Sequence, residues 1–94
     1  MDQESAVERL GELGHSTRMS VYRLLIKAGD QGLPVGDIQK HLGIAGATLS
    51  HHLHRLIKVG LVTQHREGTT LLCFAELDAL REVMGFLEAE CCTL

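Results

Sequence analysis

The sequence predicts a mainly helical domain with one small β-hairpin, and three observations carry that prediction. Apolar residues recur at three- and four-residue spacing along most of the chain. Gly clusters and the single Pro interrupt them at short intervals, and only the stretch from Leu61 to Phe74 reads as a pair of extended segments. With 94 residues, 45% of them hydrophobic and only 3% aromatic, the chain suits one aliphatic-cored domain spanning 1–94. A monomer of this size buries only about 60 to 70% of the surface its unfolded chain exposes, so a second copy is an expected source of apolar burial.

The elements follow in order. Val7, Leu10 and Leu13 stand three apart and predict a short helix over 5–13 that Gly14 ends. Ser16 is the expected N-cap of a second helix, whose Met19, Val21, Tyr22, Leu24, Leu25 and Ile26 crowd most of its circumference and make it central to the core. Gly29, Asp30, Gly32 and Pro34 break the pattern, and Pro34 suits the first turn of a third helix carrying Val35, Ile38 and Leu42. Gly43-Ile44-Ala45-Gly46 interrupts briefly before Leu49, Leu53, Leu56 and Ile57 resume. Two short helices joined by a tight turn, with Ile44 pinning them, give a helix-turn-helix over 35–59. Gly60 stops the fourth helix; Leu61–His65 and Leu71–Phe74 then predict the two strands of a wing over 61–75. Leu77, Leu80, Met84, Leu87 and Cys91 follow at steps of three and four, so a last helix is expected over 76–92 with an apolar stripe ending in a cysteine. That stripe and the first helix, 1–13, are the expected dimerisation surface.

Charge divides the chain more sharply than its total of −3 suggests. Residues 1–12 and 74–94 carry net −3 and −4, whereas residues 13–73 carry seven bases against Asp30, Asp37 and Glu67, together with all six histidines. A basic middle meets phosphates; acidic ends do something else. No run of about 18 apolar residues exists to span a bilayer, and Met1-Asp2-Gln3-Glu4 is unlike a targeting peptide, so a cytoplasmic location is expected. Three cysteines, two of them adjacent, make no disulfide framework and read as thiols free to bind something.

The stretch from Val35 to Val62 resembles the ArsR/SmtB family of bacterial winged-helix repressors. The run Thr48-Leu49-Ser50-His51-His52-Leu53, then Leu56 and Gly60-Leu61-Val62, is similar to the family's recognition helix and its exit into the wing. Ser16-Thr17-Arg18 with Leu24-Leu25 is similar to its earlier core helix, and Arg66-Glu67-Gly68 to its wing tip. The resemblance implies a homodimer that binds palindromic double-stranded operator DNA and releases it when a metal, metalloid or other small signal binds. The residues themselves show no nucleophile, base and orienting acid in a recognisable order and no phosphate-binding glycine loop, so no enzymatic activity is expected. With Leu49, Leu53 and Leu56 buried, the outer face of the recognition helix presents Thr48, Ser50, His51, His54 and Arg55. Thr48, Ser50 and His51 suit base edges, Arg55 and Lys58 suit phosphates, and Arg66 and Thr69 suit phosphate or minor-groove contacts from the wing. His52 falls on the helix flank beside Leu49 and Leu53. Ala45-Gly46-Ala47 departs from the family's usual polar helix start and removes both a side-chain cap and two base readers.

Two familiar metal sites of the family lack their ligands here. Leu33-Pro34-Val35-Gly36 holds no Cys-x-Cys, and no histidine follows His65 to build a zinc site on the last helix. What remains is Cys91-Cys92, with Cys73 an optional third ligand. Adjacent thiols suit a soft acceptor with two or three bonds to sulfur, and repressors of the family with a cysteine pair after the last helix imply trivalent arsenic: arsenite, methylarsenite or antimonite. No resident cofactor is implied. Glu88 and Glu90 are expected to disfavour the thiolates. Two other readings stand beside this one. A thiol-based redox or persulfide switch uses the same cysteines, and a winged helix can serve as a protein-interaction module.

Overall fold

The computed structural model describes all of residues 1–94. Five α-helices and three strands run in the order α1 (Gln3–Leu13), α2 (Ser16–Ala28), β1 (Leu33–Pro34), α3 (Val35–Leu42), α4 (Gly46–Lys58), β2 (Val62–Glu67), β3 (Thr70–Ala75) and α5 (Leu77–Glu88). The helix α1 starts two residues earlier than the apolar spacing indicates, because Asp2 caps it. Its carboxylate accepts from the Ser5 amide at 2.8 Å, a bond that holds the carboxyl below the usual carboxylate range. At α2 the cap is His15, whose Nδ1 accepts from the Thr17 amide at 3.2 Å, so Ser16 is already helical rather than the expected cap.

Val21, Tyr22 and Leu25 of α2 pack with Ile38 of α3 and with Leu49, Leu53 and Leu56 of α4 into one aliphatic core, closed from the sheet by Leu61, Val62 and Cys73. Gly43 ends α3 in the left-handed conformation (φ 63°, ψ 37°), its amide donating to the Gln39 carbonyl at 2.8 Å. The chain is thereby redirected into α4 within three residues, and half-buried Ile44 packs against the core as the sequence indicates.

The wing is more than a two-stranded hairpin. Strands β2 and β3 pair from Val62↔Ala75 to Glu67↔Thr70 around Gly68-Thr69, but β3 also takes β1 on its other edge through Leu33↔Cys73 and Pro34↔Leu72, giving the order β1-β3-β2. Two residues are too few to show alternation, and a proline, which has no amide to donate, sits naturally on an edge. Gly32 makes the pairing possible: a Cβ there would lie 2.6 Å from both the Cys73 carbonyl oxygen and the Phe74 ring.

The helix α5 also departs from expectation. It ends at Glu88, so Cys91 and Cys92 lie in the turn that follows and not on a helical stripe running to 92. No base occupies its last turn, and Glu88 and Glu90 place negative charge at the end where the helix dipole is already negative. The molecule is long for its mass. Its extents are 52 × 23 × 20 Å and its radius of gyration 14.3 Å, against about 12 Å for a compact globule of this length.

Candidate nucleic-acid interface and thiol site

The helix α4 has two separate sides. Leu49, Leu53 and Leu56 are buried and fix its roll, which leaves Thr48, Ser50, His51, His54, Arg55 and Lys58 exposed. Arg66 in β2 and Thr69 in the hairpin turn are exposed too. The N-cap is Ala45, with no side-chain hydrogen bond to the first amides of the helix. Those amides are among the helix donors left free to meet a phosphate.

Behind this face lies a polar cluster that sequence reasoning missed. Arg18 of α2 is buried and ties three groups together. Its Nε donates to the Glu12 carbonyl at 2.7 Å, an Nη lies 3.2 Å from His52 Nδ1, and the other lies 3.5 Å from the Glu12 carboxylate. An arginine only donates, so His52 Nδ1 accepts and its proton sits on Nε2. Burial and the neighbouring His15, Arg18, His51 and Arg55 push the His52 pKa down. His52 is thus a neutral, interior residue, and its ring packs against His15 and His51 at centroid distances of 4.8 and 5.6 Å. Glu12 reaches further, accepting from Arg55 Nε at 3.0 and 3.1 Å. The acidic N-terminal segment therefore serves the basic middle directly. Arg9, one turn earlier, donates to the carbonyls of Val59 and Ala79 and to the Glu82 carboxylate at 2.7 Å, joining α1 to the end of α4 and to α5. Arg9 holds the Glu82 carboxyl below its usual range. Apart from Glu12–Arg18 and the adjacent His51–His52, these partners lie 34 or more residues apart, so the sequence carries no local signal of them.

The three cysteines occupy two environments. Cys73 on β3 is fully buried; burial pushes its thiol pKa up, while a 3.2 Å bond from Gln64 Nε2 to Sγ acts the other way. Cys91 and Cys92 are exposed, with their sulfurs 2.7 Å apart, and Cys92 has a positive φ of 64°. The bond to Cys92 raises the Cys91 pKa, which supplies the effect expected of Glu88 and Glu90 from a different source. Cys73 is not brought together with the pair, and no three His, Cys, Asp or Glu side chains are grouped to hold a metal ion. No helix is long and apolar enough to cross a membrane.

A short helix pair with a free polar face, set against a three-stranded sheet, defines a winged helix-turn-helix DNA-binding domain. Residues 13–65 match the family model of a helix-turn-helix domain. The chain is 33% identical over 81 residues to "Putative arsenical resistance operon repressor ArsR2" of Halobacterium salinarum, covering 77% of this chain and 67% of that protein. It is 39% identical over 63 residues to the transcriptional repressor SdpR of Bacillus subtilis, covering 67% of this chain and 68% of that one. An ArsR-like transcriptional regulator from Rhodococcus shares the fold with a TM-score of 0.81 at 20% identity, covering 92% of this chain and 78% of its own. The homodimeric winged helix-turn-helix domain of Mb0332 from Mycobacterium bovis does so at 0.75 and 23%, covering 92% and 84%. The chain belongs to the ArsR/SmtB family of winged-helix transcriptional repressors, which are DNA-binding regulators and not enzymes.

Proposed function

We propose that this repressor is a metalloid-responsive homodimer of the cytoplasm, released from operator DNA when trivalent arsenic binds Cys91 and Cys92. The observation that carries the reading is the pair of exposed thiols 2.7 Å apart just after α5. Two sulfurs satisfy a methylated trivalent arsenical, which has two bonds to give; inorganic arsenite or antimonite takes a third ligand from elsewhere, with Cys73 available only if its strand opens. Because Cys91 favours the thiol, binding releases protons and tightens as pH rises.

In this reading Thr48, Ser50, His51 and His54 meet base edges, Arg55 and Lys58 meet phosphates, and Arg66 and Thr69 contact the DNA from the wing. The exposed Val7 and Leu10 of α1 and Leu77, Met84 and Leu87 of α5 supply the dimer surface, so the helices within 1–13 and 76–92 serve as the dimerisation elements. Dimer geometry sets the distance between the two recognition helices, which must match half-sites about one helical turn apart. A ligand that reshapes the turn after α5 biases that distance. Coupling of about 1 to 3 kcal/mol lowers DNA affinity about 5- to 150-fold.

The test is release from a duplex selected out of random sequence by the wild-type protein, titrated with arsenite, methylarsenite, antimonite and zinc. Trivalent arsenicals are expected to act at the lowest concentration. A Cys91→Ser, Cys92→Ser variant is expected to hold the same duplex and ignore them; normal release of that variant, or zinc acting best, removes the assignment. The same 2.7 Å separation favours a second reading, in which a peroxide takes two electrons from the pair to form a disulfide and water. Release by peroxide but not by arsenicals selects it.

A further inference from the structure

We propose that Glu12 is a positioning residue for DNA binding, holding Arg55 by Nε so that its two terminal nitrogens are presented together to a phosphate. The inference rests on the DNA-facing reading of α4. Both carboxylate oxygens of Glu12 engage the same Arg55 nitrogen, at 3.0 and 3.1 Å, and Nη1 and Nη2 of Arg55 make no hydrogen bond within the chain. Held this way, the guanidinium keeps its outer fork free, and that fork matches a phosphate. Arg55 remains 47% exposed while Glu12 is only 12% exposed, so the anchor is recessed and the fork is outermost.

The anchor is itself anchored. Arg18 grips Glu12 through its carbonyl at 2.7 Å and its carboxylate at 3.5 Å, and His52 accepts from Arg18 on the far side. An isolated glutamate beside a phosphate contact would repel the DNA. Here Arg18, Arg55 and Lys58 outnumber Glu12 and Glu8, the two carboxylates that line the same cleft, so the cluster stays positive. Freezing a long side chain before DNA arrives removes part of the ordering cost from the binding step. Lys58, one turn further along α4, lines the same open cleft and extends the basic edge.

A double-mutant cycle on a 30-base-pair random-sequence duplex pool tests this, because phosphate contacts do not depend on sequence. Glu12→Gln is expected to weaken binding about fivefold and to reduce the salt dependence by about one phosphate contact, as Arg55→Ala does. In the Arg55→Ala background the same change is expected to cost less than about twofold. Losses that multiply independently, or tighter binding by Glu12→Gln, overturn the proposal; the second result makes Glu12 a competitor for Arg55. Arg55→Lys keeps the charge at an exposed position but loses Nε, and decides the matter even if Glu12→Gln fails to fold. Binding within about twofold of the alanine variant supports the proposal, and binding nearer the wild type overturns it. A wild-type protein with no salt-sensitive affinity for the pool overturns the DNA-facing reading and this inference with it.

Discussion

The helices α4 and α5 look alike in sequence, each with apolar residues at steps of three and four, yet the fold uses them in opposite ways. In α4 the apolar side is consumed: Leu49, Leu53 and Leu56 are all buried and only the polar side is free. In α5 only Val83 is buried, while Leu77, Met84 and Leu87 remain 39, 50 and 63% exposed. Periodicity measures how wide an apolar face is and says nothing of which body covers it. For α4 that body is its own chain, and the DNA-facing role proposed for it falls to polar atoms. For α5 and the neighbouring Val7 and Leu10 of α1, the proposed cover is a second copy, and the role proposed for them is association.

The strongest way to break this comparison is to charge the α5 face. Met84→Glu with Leu87→Glu is expected to convert the dimer to a monomer that keeps its helical content. Full burial of four such side chains across a twofold axis is worth about 1.5 to 3 kcal/mol each, and losing half of that raises the dissociation constant more than about 100-fold. Sedimentation velocity at micromolar protein reads the result. A persistent dimer with unchanged affinity would place the partner elsewhere.

The second test separates the two sides of α4. Leu53→Ala is expected to destabilise the fold by about 2 to 5 kcal/mol in urea titration, through lost burial and an unfilled cavity. Ser50→Ala, one turn away on the exposed side, is expected to change stability by less than about 0.5 kcal/mol while weakening binding to the selected duplex. A comparable stability loss from both would mean that the outer face is structural.

Sequence reading succeeded where local order decides the outcome. The spacing around Gly43, the leucine pattern of α4 and the Gly68 turn are local signals, and they suffice for the helix-turn-helix, the exposed polar side of α4 and the hairpin. It failed where partners are distant or too short to leave a pattern. The two residues of β1 gain their strand identity only from β3, and Gly32 is required only because a carbonyl and a ring approach it there. His52 sits among possible DNA readers in sequence, but Arg18, 34 residues away, makes it an interior group. Glu12 counts toward an acidic terminus until the fold sets it against Arg18 and Arg55. The three-four spacing continues to Cys91 and so extends the expected helix past Glu88, whereas the charges that disfavour the helix there act through its dipole.

The smallest expected effect concerns that interior histidine and sharpens the contrast between the buried and exposed sides of α4. His52 accepts a hydrogen bond from Arg18 and lies among His15, His51 and Arg55, with Glu12 paired to both arginines and Glu8 lining the same cleft. Burial and these neighbours depress its pKa in the fold, so the unfolded chain takes up the proton first, near its ordinary value of 6.5. Acid therefore pulls toward the unfolded state. The stabilisation from keeping this imidazole neutral is present in full above about pH 6.5 and declines as pH falls from there through the lower folded-state pKa. His52→Gln keeps an acceptor for Arg18 but cannot titrate. Its thermal midpoint is expected to fall less than that of the wild type between pH 7 and 5, by a margin smaller than the Leu53→Ala effect. Equal slopes for the wild type and His52→Gln would show that the burial of this ring is not linked to its protonation.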